Sequence, residues 1–171
     1  MIITIDGVAG SGKTTLAQFF YTQFTGQQSQ QAGSSAINVV HMDDLYDGWN
    51  DALGDKLTSK LQEIVAAHKS HREYRTQAYD WVNNCLGAEL VIAPTDVLIL
   101  EGVGSGQRSI RDEVASKIWI DVEPIVGLRR VLARDGAGIE AEMIAFSELQ
   151  HVHFLKEGTR DAAEFHVNGH Y

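Results

Sequence analysis

Four short apolar runs, each halted by polar, glycine or proline residues, divide the chain. Met1-Ile2-Ile3-Thr4-Ile5 runs into Asp6-Gly7, Ile37–Met42 into Asp43 and Asp44, and Asp96–Leu100 into Glu101-Gly102. The fourth, Lys117–Val122, is centred on Ile118, Trp119 and Ile120 and stops before Pro124. Near-continuous β-branched runs of this length predict strands buried on both faces. Between them the spacing becomes helical. Leu16, Phe19, Phe20 and Phe24 lie near one face of a helix over Thr14–Phe24, and Leu53, Leu57, Leu61, Ile64 and Val65 predict an amphipathic helix to about His68. Pro124 suits a first helical turn that continues through Ile125–Arg134. Ile139–Lys156 reads as a further helix and Phe165-His166-Val167 as a last short strand. Gln27–Ser35 is polar and low in complexity, which predicts an exposed connection.

Strands covered on both faces and alternating with helices predict an α/β protein: a mainly parallel sheet of about five strands between two helical layers. Its 171 residues fit one domain, 1–171, with no internal repeat or linker. In such a sheet ligands bind beyond the carboxyl ends of the strands. The polar groups after the first three strands, Gly7–Thr14, Asp43/Asp44 and Glu101, are therefore expected on one rim.

Composition narrows the candidates. With 44% hydrophobic residues the chain has material for a core, which excludes a disordered protein. The 23 Asp+Glu against 14 Lys+Arg argue against a nucleic-acid partner, which needs a basic surface. A small phosphorylated ligand remains compatible, because a few backbone N–H groups and one lysine can hold it. The lone Cys85 precludes an internal disulfide and reads as a small buried hydrophobe. No basic segment followed by an apolar core opens the chain, and Leu90–Leu100, broken by Pro94 and Asp96, is too short to span a bilayer. A cytoplasmic protein without a membrane partner is expected. His151 and His153 fall on different helix faces, and His166 and His170 lack an acidic third ligand, so the histidines read as surface or supporting residues.

Gly7-Val8-Ala9-Gly10-Ser11-Gly12-Lys13-Thr14 matches G-x-x-x-x-G-K-[ST] throughout. Glycines let the backbone curl so that several N–H groups point at one phosphate, and the following helix adds its positive end. Lys13 can reach the terminal phosphates and the Thr14 hydroxyl can ligate Mg²⁺. A preceding strand and a following helix supply the context this P-loop requires. The phosphate-binding set is thus Gly7, Ala9, Gly10, Ser11, Gly12, Lys13, Thr14 and Thr15. The chain lacks the N-K-x-D element of guanine-binding switches and the L-S-G-G-Q signature of ABC ATPases. An Asp just past the second strand can face a substrate hydroxyl and accept its proton, or else cap the next element. Side chains alternate along a strand, so Asp43 and Asp44 are expected to point to opposite sides. Glu101, at the end of an apolar strand, needs a partner, for which a hydrated Mg²⁺ or backbone N–H groups would serve. Arg129, Arg130 and Arg134 lead towards a lid over roughly residues 134–150, where arginines can neutralise transferring phosphate. Arg130 and Arg134 are taken as the catalytic pair.

Gly7–Thr14, Asp43-x-x-Tyr46, Tyr79-Asp80-Trp81 and Glu101-Gly102, in that order, resemble the uridine kinase family of P-loop kinases. The resemblance covers most of the chain and implies a three-layer P-loop NTPase fold that binds ATP and Mg²⁺. It makes Asp43 the catalytic base, lines a nucleoside pocket with Tyr46, and assigns Mg²⁺ to Thr14 and Glu101. It brings Asp80, flanked by Tyr79 and Trp81, to the ribose hydroxyls. The implied activity is Mg²⁺-dependent transfer of the ATP γ-phosphate to a hydroxyl of a small metabolite, with a nucleoside leading. Arg72, Arg75 and Trp49 are candidates for reading the base. The chain departs from the family at Gly136–Glu142, acidic where the lid should be basic. Two alternatives follow: a kinase for nucleoside monophosphates or other small molecules, and a nucleotide-binding sensor without transfer activity.

Overall fold

The computed structural model describes residues 1–26 and 36–169, so the expected Gln27–Ser35 connection and His170 lie outside the described residues. In chain order the elements are β1 (Ile2–Gly7), α1 (Lys13–Gly26), β2 (Ile37–His41), α2 (Met42–Leu45), α3 (Asp55–Lys69), β3 (Tyr74–Asp80) and β4 (Cys85–Ile92). There follow β5 (Val97–Glu101), β6 (Ser116–Asp121), α4 (Pro124–Asp135), α5 (Glu140–Glu157), α6 (Thr159–Ala162) and β7 (Phe165–Asn168). Five strands pair in parallel in the order β2-β5-β1-β6-β7. This is the parallel α/β sheet of a P-loop kinase fold.

Alternation along the buried strands builds two cores. Ile2 of β1 and Leu98 and Leu100 of β5 pack with Leu57, Leu61 and Ile64 of α3. Ile3 and Ile5, with Val97 and Ile99, pack on the opposite face around Ala17 of α1, joined by Leu16, Phe20 and Phe24. Burial of this kind contributes about 1.5–3 kcal/mol for each large aliphatic side chain. Because β1 is central and its neighbours come from opposite directions of winding, a crevice opens at its carboxyl end. The register sets Glu101 beside Ile5 of β1 and beside His41 of β2. No helix among the described residues is long and apolar enough to cross a membrane.

Residues 74–92, to which the pattern assigns no element, form an antiparallel hairpin of β3 and β4. Its strands are mostly half-buried or exposed and mix polar with apolar residues, so no buried face marks them in the sequence. Tyr79-Asp80-Trp81 close β3 and enter its turn. Cys85 is exposed, not buried, because it opens β4 just after that turn. His68 and His153 are buried, contrary to the surface reading; burial holds both imidazoles below their ordinary pKa.

Candidate active site

At the carboxyl end of β1 the chain curls through Gly7–Gly12 and enters α1 at Lys13. Two glycines explain how tightly this loop is held. Gly10 has φ +73°, and a Cβ there would stand 2.2 Å from the carbonyl oxygen of Gly127 in α4. A Cβ on Gly127 would in turn stand 2.2 Å from the Ala9 carbonyl oxygen. Backbone rests on backbone, which only glycine permits. The Ala9 N–H donates to Gln150 Oε1 of α5 at 2.9 Å, a second brace on the loop.

Lys13 is buried, and its Nζ donates to the carbonyls of Gly7 at 3.0 Å and Val8 at 2.8 Å. Burial lowers its pKa, against the raising effect of the charges on Asp6, Glu101 and Asp43. Ser11 Oγ is buried without a hydrogen-bond partner. A curled loop at a helix N-terminus with a buried cation and an unsatisfied hydroxyl suits a phosphate.

Glu101 ends β5 on the face that α1 covers, and Thr14 Oγ1 donates to its Oε1 at 2.9 Å. The same Oε1 is paired with His41 Nδ1, and that bond leads the causes that raise the His41 pKa. Thr14 and Glu101 thus form a compact oxygen pair beside the loop. Hard oxygen donors of this kind fit Mg²⁺, which takes one or two carboxylates and fills its other positions with phosphate and water.

Past β2 the chain turns at Met42 into α2, so Asp43 and Asp44 sit on a helical turn and the strand alternation no longer applies. Asp43 lines the cleft floor with Lys13 and Glu101. It is open to the cleft, yet crowding by protein raises its carboxyl pKa, opposed by the Lys13 charge. Asp44 is not among the lining residues.

The cleft has a volume of about 840 Å³. One half holds Ala9, Gly10, Gly12, Lys13, Thr14, Thr15, Glu101, Arg130 and Arg134; the other is walled by Tyr46, Trp49, Trp81, Ile139, Met143 and Phe146. The aromatic rings meet edge-on or tilted, Trp49 and Trp81 with centroids 4.8 Å apart and Tyr46 and Phe146 6.0 Å apart. Of the expected substrate residues, Asp43, Tyr46 and Trp81 are brought together, while Tyr79 and Asp80 are not lining residues. The Asp80 carboxylate accepts from the backbone N–H groups of Val82 and Asn83 and from the Asn83 amide, closing the hairpin turn. Arg75 is paired with Glu73 and Glu89 on the exposed ribbon.

Arg130 donates to the Gly169 carbonyl at 2.9 Å and to the Gly10 carbonyl at 3.5 Å. Arg134 makes a two-pronged pair with Asp135, at 2.6 and 2.7 Å. The acidic stretch 136–142 forms a short turn and the start of α5, whose inward side brings Met143 and Phe146 to the cleft.

Sequence reasoning passed over Asp6. Fully enclosed at the end of β1, it accepts from the N–H groups of Gly7 at 2.8 Å, Gly104 at 3.1 Å and Gly106 at 2.9 Å. Desolvation, only partly offset by these bonds and by Lys13, raises its pKa from 3.8 to about 6. The signal was there: a carboxylate ending a buried strand needs partners, the argument applied to Glu101. Gln150 and His41, which brace the loop and Glu101, carry no comparable signal.

The chain is 26% identical to a uridine kinase of Limosilactobacillus reuteri over 149 residues, covering 79% of this chain and 65% of that protein. A uridine kinase of Bacillus subtilis is 26% identical over 145 residues, covering 79% of this chain and 67% of that one. The chain therefore spans about 65% of the length of the first of these relatives. Among solved structures, a possible uridine kinase from Bacillus stearothermophilus has a TM-score of 0.66 at 19% identity, covering 98% of this chain and 88% of that one. A shikimate kinase from Bacteroides thetaiotaomicron has a TM-score of 0.55 at 16% identity, covering 99% and 86%. These likenesses show the fold. The sequence pattern of AAA_18, an AAA domain, matches residues 3–145, from β1 and the phosphate loop through the first turns of α5, and the chain belongs to that family.

Proposed function

We propose that residues 1–171 form a single small-molecule kinase domain that transfers the γ-phosphoryl group of ATP to an alcohol. The observation that carries this reading is one cleft in which the phosphate loop, the Thr14–Glu101 oxygen pair and Asp43 meet an enclosed wall of side chains. Gly7, Ala9, Gly10, Ser11, Gly12, Lys13, Thr14 and Thr15 would hold the nucleotide phosphates, and Thr14 with Glu101 would hold Mg²⁺. When bound, Mg²⁺ supplies positive charge at the phosphates.

The chain's own groups do the rest. Lys13 exchanges its bonds to the Gly7 and Val8 carbonyls for phosphate oxygens and neutralises charge that grows during transfer. Asp43 orients the acceptor hydroxyl and takes its proton as the new oxygen–phosphorus bond forms and the bond to the departing ADP breaks. The raised pKa of Asp43 makes it a better proton acceptor than an ordinary aspartate. Arg130 and Arg134 stand at the phosphate half and complete the charge around the transferring group. A nucleoside acceptor comes only from likeness to the relatives named uridine kinase.

A second reading, a nucleotide sensor without transfer, is favoured by the Arg134–Asp135 pair, which occupies a guanidinium a lid would need free. Acceptor-dependent ADP formation decides between them. Asp43→Asn is expected to lower that rate by about 10²–10⁴-fold with ATP affinity nearly unchanged, and Asp44→Asn to do much less. Severe loss in Asp44→Asn alone would reassign the base. Nucleotide binding without acceptor-dependent turnover in the parent protein would establish the sensor.

A further inference from the structure

The acceptor half of the cleft has an unusual economy of polar atoms. The Tyr46 hydroxyl is spent on the Val103 carbonyl at 2.8 Å, and the Trp81 indole N–H on the Asp43 carbonyl at 3.0 Å. Ile139, Met143 and Phe146 close the far side with carbon and sulfur. Trp49 brings one indole N–H. The side-chain acceptors beside this wall are the Tyr46 oxygen, the Asp43 carboxylate and the Asp135 carboxylate already paired with Arg134, so donors for a base's carbonyls are the scarcer group. Asp80, which the family resemblance would set against ribose, is committed to its own turn.

A pyrimidine nucleoside presents two ring carbonyls or an amine, a ring N–H in uracil, and two further ribose hydroxyls. Each group left unpaired in an enclosed apolar site costs roughly tenfold in affinity. An aromatic ring without such groups loses nothing here and gains edge-to-face contact with the wall. We propose that the ligand of this half-cleft is a small aryl alcohol, its ring against the cleft-facing side of the packed Tyr46, Trp49, Trp81 and Phe146 cluster and its hydroxyl towards Asp43. That this alcohol is phosphorylated rests on the kinase reading above. The hydroxyl oxygen then bonds to the γ-phosphorus as the bridging bond to ADP breaks, and the proton passes to Asp43. The products are an aryl-alkyl phosphate and ADP.

The test separates occupancy from turnover. Calorimetric titration of the intact chain, with Mg²⁺ and a non-hydrolysable ATP analogue, would compare 2-phenylethanol and 2-(indol-3-yl)ethanol with uridine and cytidine. The aryl alcohols are expected to bind at least about tenfold tighter than either nucleoside. Trp49→Ala is expected to weaken them about tenfold while the ATP analogue still binds, which shows that the variant is folded. Tighter nucleoside binding, no aryl alcohol binding, or an unaffected Trp49→Ala would each overturn the proposal. The same compounds in an ADP-release assay test the kinase reading separately. Uridine turnover with tighter uridine binding would keep the kinase and remove the aryl ligand. Aryl alcohol binding with no turnover of any compound would keep the ligand class and remove the transfer.

Discussion

Asp6→Asn offers a direct measurement of what the enclosed carboxylate does to this fold. The substitution keeps the size of the side chain and removes its titration. In the folded chain the Asp6 pKa is raised from 3.8 to about 6, chiefly because burial disfavours the charge. At about 1.36 kcal/mol for each tenfold change in protonation, that difference corresponds to about 3 kcal/mol. The sign follows from which state holds the proton more tightly. Here the folded state does, so the site contributes its full stability below about pH 4 and loses it as pH climbs through about 6. The bonds that the Asp6 carboxylate accepts from Gly7, Gly104 and Gly106 are already contained in its shifted pKa, and what asparagine loses against the protonated carboxyl is the same at every pH. The stability difference between variant and parent is therefore expected to move towards the variant by about 2–2.5 kcal/mol from pH 4 to pH 7. Urea unfolding of both nucleotide-free proteins, followed by circular dichroism at half-unit pH steps, reads this difference. A difference that stays flat, or moves towards the parent, refutes the reasoning.

Two further perturbations probe the phosphate half. Gly127→Ala would drive a Cβ into the Ala9 carbonyl, so the loop must shift; affinity for a fluorescent ATP analogue is expected to fall roughly tenfold, and an unchanged titration would contradict the backbone contact. Glu101→Gln removes one charge beside Thr14 at constant size; the Mg²⁺ needed for half-maximal rate should rise about tenfold, and an unmoved titration would make Glu101 purely structural.

The doubly buried strands and the phosphate loop were legible because each rests on a local rule. An unbroken apolar run such as Val97–Leu100 has one good fate, and Gly7–Thr14 carries its own geometry in its spacing. The rim on which Asp43, Glu101 and the loop converge followed from sheet topology. What stayed hidden was non-local. Gly127 looks like any helical glycine until Gly10 is seen against it. Gln150 is a mid-helix amide until it meets the Ala9 N–H, 141 residues away in sequence. The hairpin escaped because β3 lies over α2 and α3 and neither strand has a fully buried face, so neither a period of two nor one of 3.6 stands out.

That hairpin divides the protein's evolutionary freedom. The phosphate half is welded into the central sheet: its loop ends β1, its carboxylate ends β5, and an error in either register would dismantle the core. Trp81 belongs instead to a two-stranded ribbon that shares no backbone ladder with those five strands. Substitution, lengthening or twist in β3 and β4 can reshape the acceptor wall while β1 and β5 keep their pairing. A lineage could change what this wall admits by drifting along residues 74–92 and still inherit an intact phosphate loop.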